Sequence, residues 1–145
     1  MRRSGFTFVE LIVVLAILAG LAALVAPSFS RTIVSARLRT AASDVRSTFA
    51  RARSLAVASA RERDVTFDLS RGEFGVDNEA VRRLPESIRL GAVLRGEERQ
   101  ERGSVRVRFF PDGGGEQAEI SVTAQDGGTL RVTVDPLTGL SEAGT

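Results

Sequence analysis

Glu10 is the residue that asks for a chemical explanation. It stands in the apolar stretch Ser4 to Leu18, "SGFTFVELIVVLAIL", where no other side chain ionises. A carboxylate in a membrane-spanning segment costs about 2–3 kcal/mol near the bilayer centre and less toward an interface, so it calls for a cationic partner. Two further acidic groups have spacings that could do chemistry. "DGGGE", Asp112 to Glu116, could be a glycine-rich anion cradle or a calcium loop. It lacks the Lys and following helix of a phosphate loop and the alternating carboxylates of an EF-hand, and reads better as a hairpin turn. Glu97, Glu98 and Glu101 could gather on a metal, but Arg95, Arg99 and Arg102 interleave with them. That pattern is a solvated charged loop.

Catalysis has little to draw on. The 145 residues include no His and no Cys, and every one of the 20 basic side chains is an arginine. Tyr and Trp are absent as well. The bases that normally activate a serine are missing, as are thiol nucleophiles, zinc ligands and disulfides. We therefore expect no enzyme, no catalytic or metal-binding residue and no cofactor.

The elements that must position Glu10 begin with the run Phe6 to Ala26, which only Thr7, Glu10 and Gly20 interrupt. As a helix it would reach about 30 Å, enough to cross the hydrocarbon core of a bilayer. Arg2 and Arg3 precede it and favour a cytoplasmic N-terminus, with the rest of the chain outside the cytoplasm. The run is long for a cleaved signal peptide, and Pro27 follows the only small-residue exit. The Arg2-Arg3 pair lacks the rest of a twin-arginine address. A plain single-pass anchor explains the length of the run but leaves Glu10 without a role.

Pro27 should bend the helix and not end it. From Ser28 to Ala60 a helix continues, with Leu38, Ala42, Val45, Phe49, Ala52 and Ala56 in one apolar stripe. Arg37, Arg39, Arg46, Arg51 and Arg53 fall off that stripe and read as a solvated face. Beyond Arg63 the pattern turns to alternation and glycine. Val65 to Val76 is a hairpin through "SRG", and a strand runs from Ile88 to Leu94 after a turn at Leu84-Pro85. "VRVRFF", "AEISVTA" and "TLRVTVD", joined by Gly-rich turns, predict a three-strand antiparallel meander, followed by a short edge strand and tail. Charge divides along the same line. Ser28 to Arg63 holds eight Arg against two acids, whereas Asp64 onward holds ten Arg against fifteen. The fold class is α+β: a long N-terminal helix, half transmembrane and half docked, packed on antiparallel β-sheets.

"GFTFVELIVVLAIL" resembles the N-terminal signature of type IV pilins and of the pseudopilins of type II secretion systems. In that family a short basic leader ends in glycine and a prepilin peptidase removes it. The new N-terminus is methylated, and a glutamate lies fifth in the mature chain. The resemblance implies a leader over residues 1–5, cleavage between Gly5 and Phe6, N-methylation of Phe6 and an assembly contact at Glu10. A transmembrane and assembly helix would follow over 6–26, and then a periplasmic domain over 27–145. That domain would comprise a helix over 27–60 and a β-rich head over 64–145. The partner implied for Glu10 is the terminal amine of a neighbouring subunit. A carboxylate and an ammonium in a low-dielectric bundle attract strongly and set axial register.

The head resembles H-type secretion pseudopilins and the related FimT-like minor pilins through Phe109, Pro111, Gly113, Thr138 and Gly139. The implied fold is pilin-like, with Pro27 at the helix kink. The implied function is that of a minor pseudopilin at or near the tip of the periplasmic pseudopilus that drives type II export. Its partners would be other pseudopilins, the prepilin peptidase, the inner membrane and the secreted substrate. A FimT-like minor pilin that primes a type IV pilus or takes up DNA is the alternative. DNA is disfavoured as a partner because the tail carries Glu142 and no arginine after Arg131.

Overall fold

The computed structural model describes residues 7–94 and 99–144, with backbone alone over 22–32 and 93–94. The chain forms two compact units, Met1–Ile33 and Val34–Thr145. Helix α1, Phe8–Ser59, dominates the first and opens the second.

In the first unit α1 is capped by Thr7. Its hydroxyl accepts the Glu10 N–H at 3.2 Å, and its carbonyl accepts the Leu11 N–H at 3.2 Å. Threonine suits this position because its side-chain oxygen satisfies an N–H that has no partner within the helix. Apart from Glu10, the following turns are apolar on every side: Phe8, Leu11, Ile12, Leu15 and Leu18 are all exposed. A helix that is apolar all round is built for apolar surroundings. Among the described residues no helix is long and apolar enough to cross a membrane, and the described side chains of the apolar run stop at Leu21, short of Ala26. The backbone stays helical through Pro27, so the proline does not end α1.

In the second unit the stripe Leu38, Ala42, Val45, Phe49, Ala52 and Ala56 is buried throughout. It packs on two four-stranded antiparallel sheets. Strands β1 (Arg63–Asp68), β2 (Glu73–Val76), β3 (Arg82–Arg83) and β5 (Ser104–Phe109) form one, in the order β3-β2-β1-β5. Strands β4 (Ile88–Leu94), β6 (Ala118–Ala124), β7 (Thr129–Val134) and β8 (Ser141–Gly144) form the other, in the order β4-β6-β7-β8. Alternation selects the inner faces: Val65 and Phe67 from β1, Val105, Val107 and Phe109 from β5, and Ile120 and Val122 from β6 are buried. Phe49 drives into the centre, its ring 5.6 Å from both Phe67 and Phe109, and Phe67 stacks on Phe74 at 5.5 Å. One core joins helix and both sheets. The helix ends at Ser59, one residue earlier than expected, and the first strand begins at Arg63, two residues before Val65.

The three-strand meander does not form. β5 pairs with β1, and β6 and β7 join β4 in the other sheet. Residues after β5 do fold back as a small hairpin: Phe110 N–H donates to Gly114 O at 2.9 Å and Glu116 N–H to Arg108 O at 2.7 Å. The chain then crosses to the second sheet. Charge helps choose the partner of β5. Opposite Arg108 lies Asp64 of β1, a buried carboxylate held by two guanidinium hydrogen bonds of 2.8 and 3.1 Å. Left unpaired, that carboxylate would be strongly destabilising.

Helix α1 ends without glycine. Arg61 N–H donates to Ala56 O at 3.2 Å, closing the last turn, while Ala60 takes a φ of +50°. This is the left-handed position at which glycine usually stands after a helix.

Candidate functional site

Two places bear on function: the start of α1, and the junction where the two glycine turns of the head meet. At the first, Glu10 lies in the opening turn of α1 and is exposed. Gly5 and Phe6 lie outside the described residues.

At the second, the structure brings Gly113, Thr138 and Gly139 together, while Phe109 packs in the core against Phe49. Asp112 Oδ1 accepts the Gly114 N–H at 2.9 Å, and Gly113, at φ +90°, donates to Phe110 O at 3.0 Å. The "DGGGE" stretch is thus a turn with its first carboxylate engaged. Asp135 organises the facing turn, its carboxylate accepting the N–H groups of Leu137 and Thr138 at 2.9 Å each. These bonds hold the Asp135 carboxyl below its ordinary pKa. Gly115 N–H then crosses to Pro136 O at 3.1 Å.

Arg53 fastens the junction from the helix side. Its Nε donates to Gly113 O at 2.9 Å and to Thr138 O at 2.8 Å. Only glycine fits at 139, because a Cβ there would collide with the Gly113 carbonyl and crowd the Arg53 side chain. Arg53, expected on a solvated face, is instead half-buried against the two turns. Arg53 follows the buried Ala52 on the flank of the stripe and reaches around it to the turns.

Arg51 is exposed, as expected. It forms a two-pronged pair with Glu79, with Nη2 to Oε1 at 2.6 Å, and this holds the Glu79 carboxyl below its ordinary pKa. Asp44 of the same helix flank accepts Arg82 Nη1 at 2.8 Å. Arg37, Arg39 and Arg46 are exposed as expected and have no ion pair among the described residues.

Among the described residues no group of three or more acidic side chains is placed to hold a metal ion. Glu101 pairs with Arg99 at 3.4 Å, while Glu97 and Glu98 lie outside the described residues. At the junction the Asp112 and Asp135 carboxylates and the Arg53 guanidinium are all engaged with backbone groups of the turns.

A helix whose docked half closes two antiparallel sheets defines a pilin-like subunit. Residues 41–138 match the family described as type II transport protein GspH, and residues 1–26 match the prokaryotic N-terminal methylation motif. The first match covers more than half of the chain, and the protein belongs to the GspH family. No curated protein and no solved structure matches the chain. The family is one of structural pseudopilin and pilin subunits, associated with other pseudopilins and with processing by prepilin peptidase.

Proposed function

We propose that this protein is a minor pseudopilin at or near the tip of the periplasmic pseudopilus of a type II secretion system. The observation that carries this reading is the union, in one chain, of the methylation motif over residues 1–26 with the GspH match over 41–138. Prepilin peptidase cuts between Gly5 and Phe6, and the amine of Phe6 is methylated. Residues 6–26 form a single-pass inner-membrane helix with its N-terminus in the cytoplasm, α1 bends at Pro27, and residues 27–145 lie in the periplasm. Glu10 pairs with the Phe6 amine of a neighbouring subunit and fixes its axial position. Support for this role is its place in the first turn of α1, where it is the one ionisable side chain over residues 8–21. The subunit acts by assembly, and the secreted substrate meets the growing tip.

Mass spectrometry of the membrane-extracted protein tests the processing. The expected chain starts at Phe6 and carries one added methyl. An intact Met1 or a chain starting at Pro27 would overturn the reading. Affinity purification from the native membrane should then recover other minor pseudopilins. Recovery of type IV pilins in their place would move the protein to the FimT-like alternative.

A further inference from the structure

The second unit carries a groove of 810 Å³ where the β1–β2 turn, the Leu84–Glu86 turn and the outer face of β4 come together. Five arginines line it, Arg71, Arg83, Arg89, Arg99 and Arg102, against two carboxylates, Glu86 and Glu101. Three of the arginines are already engaged: Arg83 with Glu73 at 2.8 Å, Arg71 with Asp68 at 3.7 Å and Arg99 with Glu101 at 3.4 Å. Arg89 and Arg102 are exposed and have no ionic partner among the described residues.

The groove also has a fixed wall. Arg89 and Gly91 fall on the face of β4 opposite the buried Ile88, Leu90 and Ala92. Arg99 lies over Gly91, where a Cβ would come within 3.2 Å of its Nε. Its Nη2 donates to the hydroxyl of Ser121 at 2.9 Å, and Ser121 is itself buried. Gly91 N–H and C=O belong to the β6 ladder, while the opposite edge of β4 is pinned by the paired backbone bonds of Ala92 and Gln100. Arg99 is therefore held in place as part of the wall between Arg89 and Arg102 and leaves those two to meet a ligand.

We propose that this groove docks an acidic polypeptide segment of a partner protein, whose carboxylates pair with Arg89 and Arg102. Guanidinium and carboxylate match in a two-pronged geometry that gives register as well as attraction. Glu86 on the lining can also receive a basic side chain of the partner, which a nucleic acid lacks. Among the described residues the lining contains no aromatic side chain on which a single-stranded nucleic acid could stack its bases. This docking stands whether the assembly is a secretion pseudopilus or a type IV pilus.

The test uses the full chain in neutral detergent, with fluorescein-labelled octaglutamate as the probe and fluorescence anisotropy at low ionic strength as the readout. We expect saturable binding that the double variant Arg89→Glu, Arg102→Glu weakens at least about tenfold. Both residues are exposed, so far-ultraviolet circular dichroism should not change. The control variant Arg39→Glu, Arg46→Glu reverses two unpaired charges on α1 and should bind as the parent does. Three results would overturn the proposal: no binding of octaglutamate, loss of binding in the α1 control but not in the groove variant, or tighter binding of an oligothymidylate of equal charge than of the peptide.

Discussion

Arg53, on the flank of α1, and Thr138, in the turn before β8, meet through a hydrogen bond of 2.8 Å from Nε to the backbone carbonyl. The same Nε reaches Gly113 O at 2.9 Å, so one side chain joins three segments far apart in sequence. A planar guanidinium suits this role because its donors stay charged and rigidly oriented.

Loss of that fastening should cost stability. Arg53→Ala leaves two carbonyl oxygens without a donor, and we expect a loss of about 1–3 kcal/mol. Gly139→Ala should be worse than a surface Gly→Ala change, because φ is +62° and a Cβ there meets the Gly113 carbonyl. Urea denaturation of both variants checks this. Stabilities equal to the parent would show that the two turns hold each other without the arginine.

Ala60→Gly should have the opposite sign. A left-handed alanine costs about 1 kcal/mol relative to glycine, and the residue is exposed, so no packing is lost. The expected gain is about 0.5–1 kcal/mol, read as a higher urea midpoint with unchanged slope.

Val34–Thr145 forms one compact unit with one core, and a chain starting there should unfold cooperatively, with mixed helix and strand in circular dichroism. Removal of residues through Phe49 should unfold it. Phe49 contacts both Phe67 and Phe109, and loss of a buried Phe alone costs about 3–5 kcal/mol. A head that stays fully folded without the helix would refute the single core.

Acid should weaken the head. The carboxyls of Asp135 and Glu79 are held below their ordinary values of 3.8 and 4.5, by backbone N–H groups and by Arg51 respectively. A carboxylate with a lowered folded pKa contributes stability above its unfolded pKa and loses it as pH falls through the folded value. Stability should therefore be flat above the ordinary values and fall below them. Asp135→Asn keeps an acceptor but removes the titration, and it should make the acid limb shallower. A stability that rises on acidification through this window would contradict the assignment.

Glu10→Val separates assembly from anchoring by sign. In a plain anchor, removing the acid favours insertion. In an assembling helix the same change leaves a neighbour's Phe6 ammonium unpaired in a low dielectric, which is strongly destabilising. We expect a variant that inserts, is cleaved and folds its head, yet is not recovered with partner pseudopilins. Recovery at wild-type levels would remove the assembly role from Glu10.

The sequence by itself determined whatever depends on a residue's near neighbours. The stripe from Leu38 to Ala56 has helical period, so its burial was legible before any sheet was known. The β1–β2 hairpin, the limits of β4 and the turn character of "DGGGE" follow from alternation and from Gly and Pro positions, which act over a few residues. The absence of His, Cys and Lys removed most catalytic chemistry in one step. Only the tertiary structure decided which strands became partners. "VRVRF" alternates equally well beside β1 or β6, and the choice of β1 rests on contacts such as Arg108 with Asp64, 44 residues away. Arg53 and the arginine groove were hidden for the same reason. A guanidinium on a long flexible stem can reach solvent, a carboxylate or a backbone carbonyl, and the sequence does not say which of these lies within reach. The positive φ of Ala60 is tertiary too, because the strand that follows must turn back onto the helix it has just left.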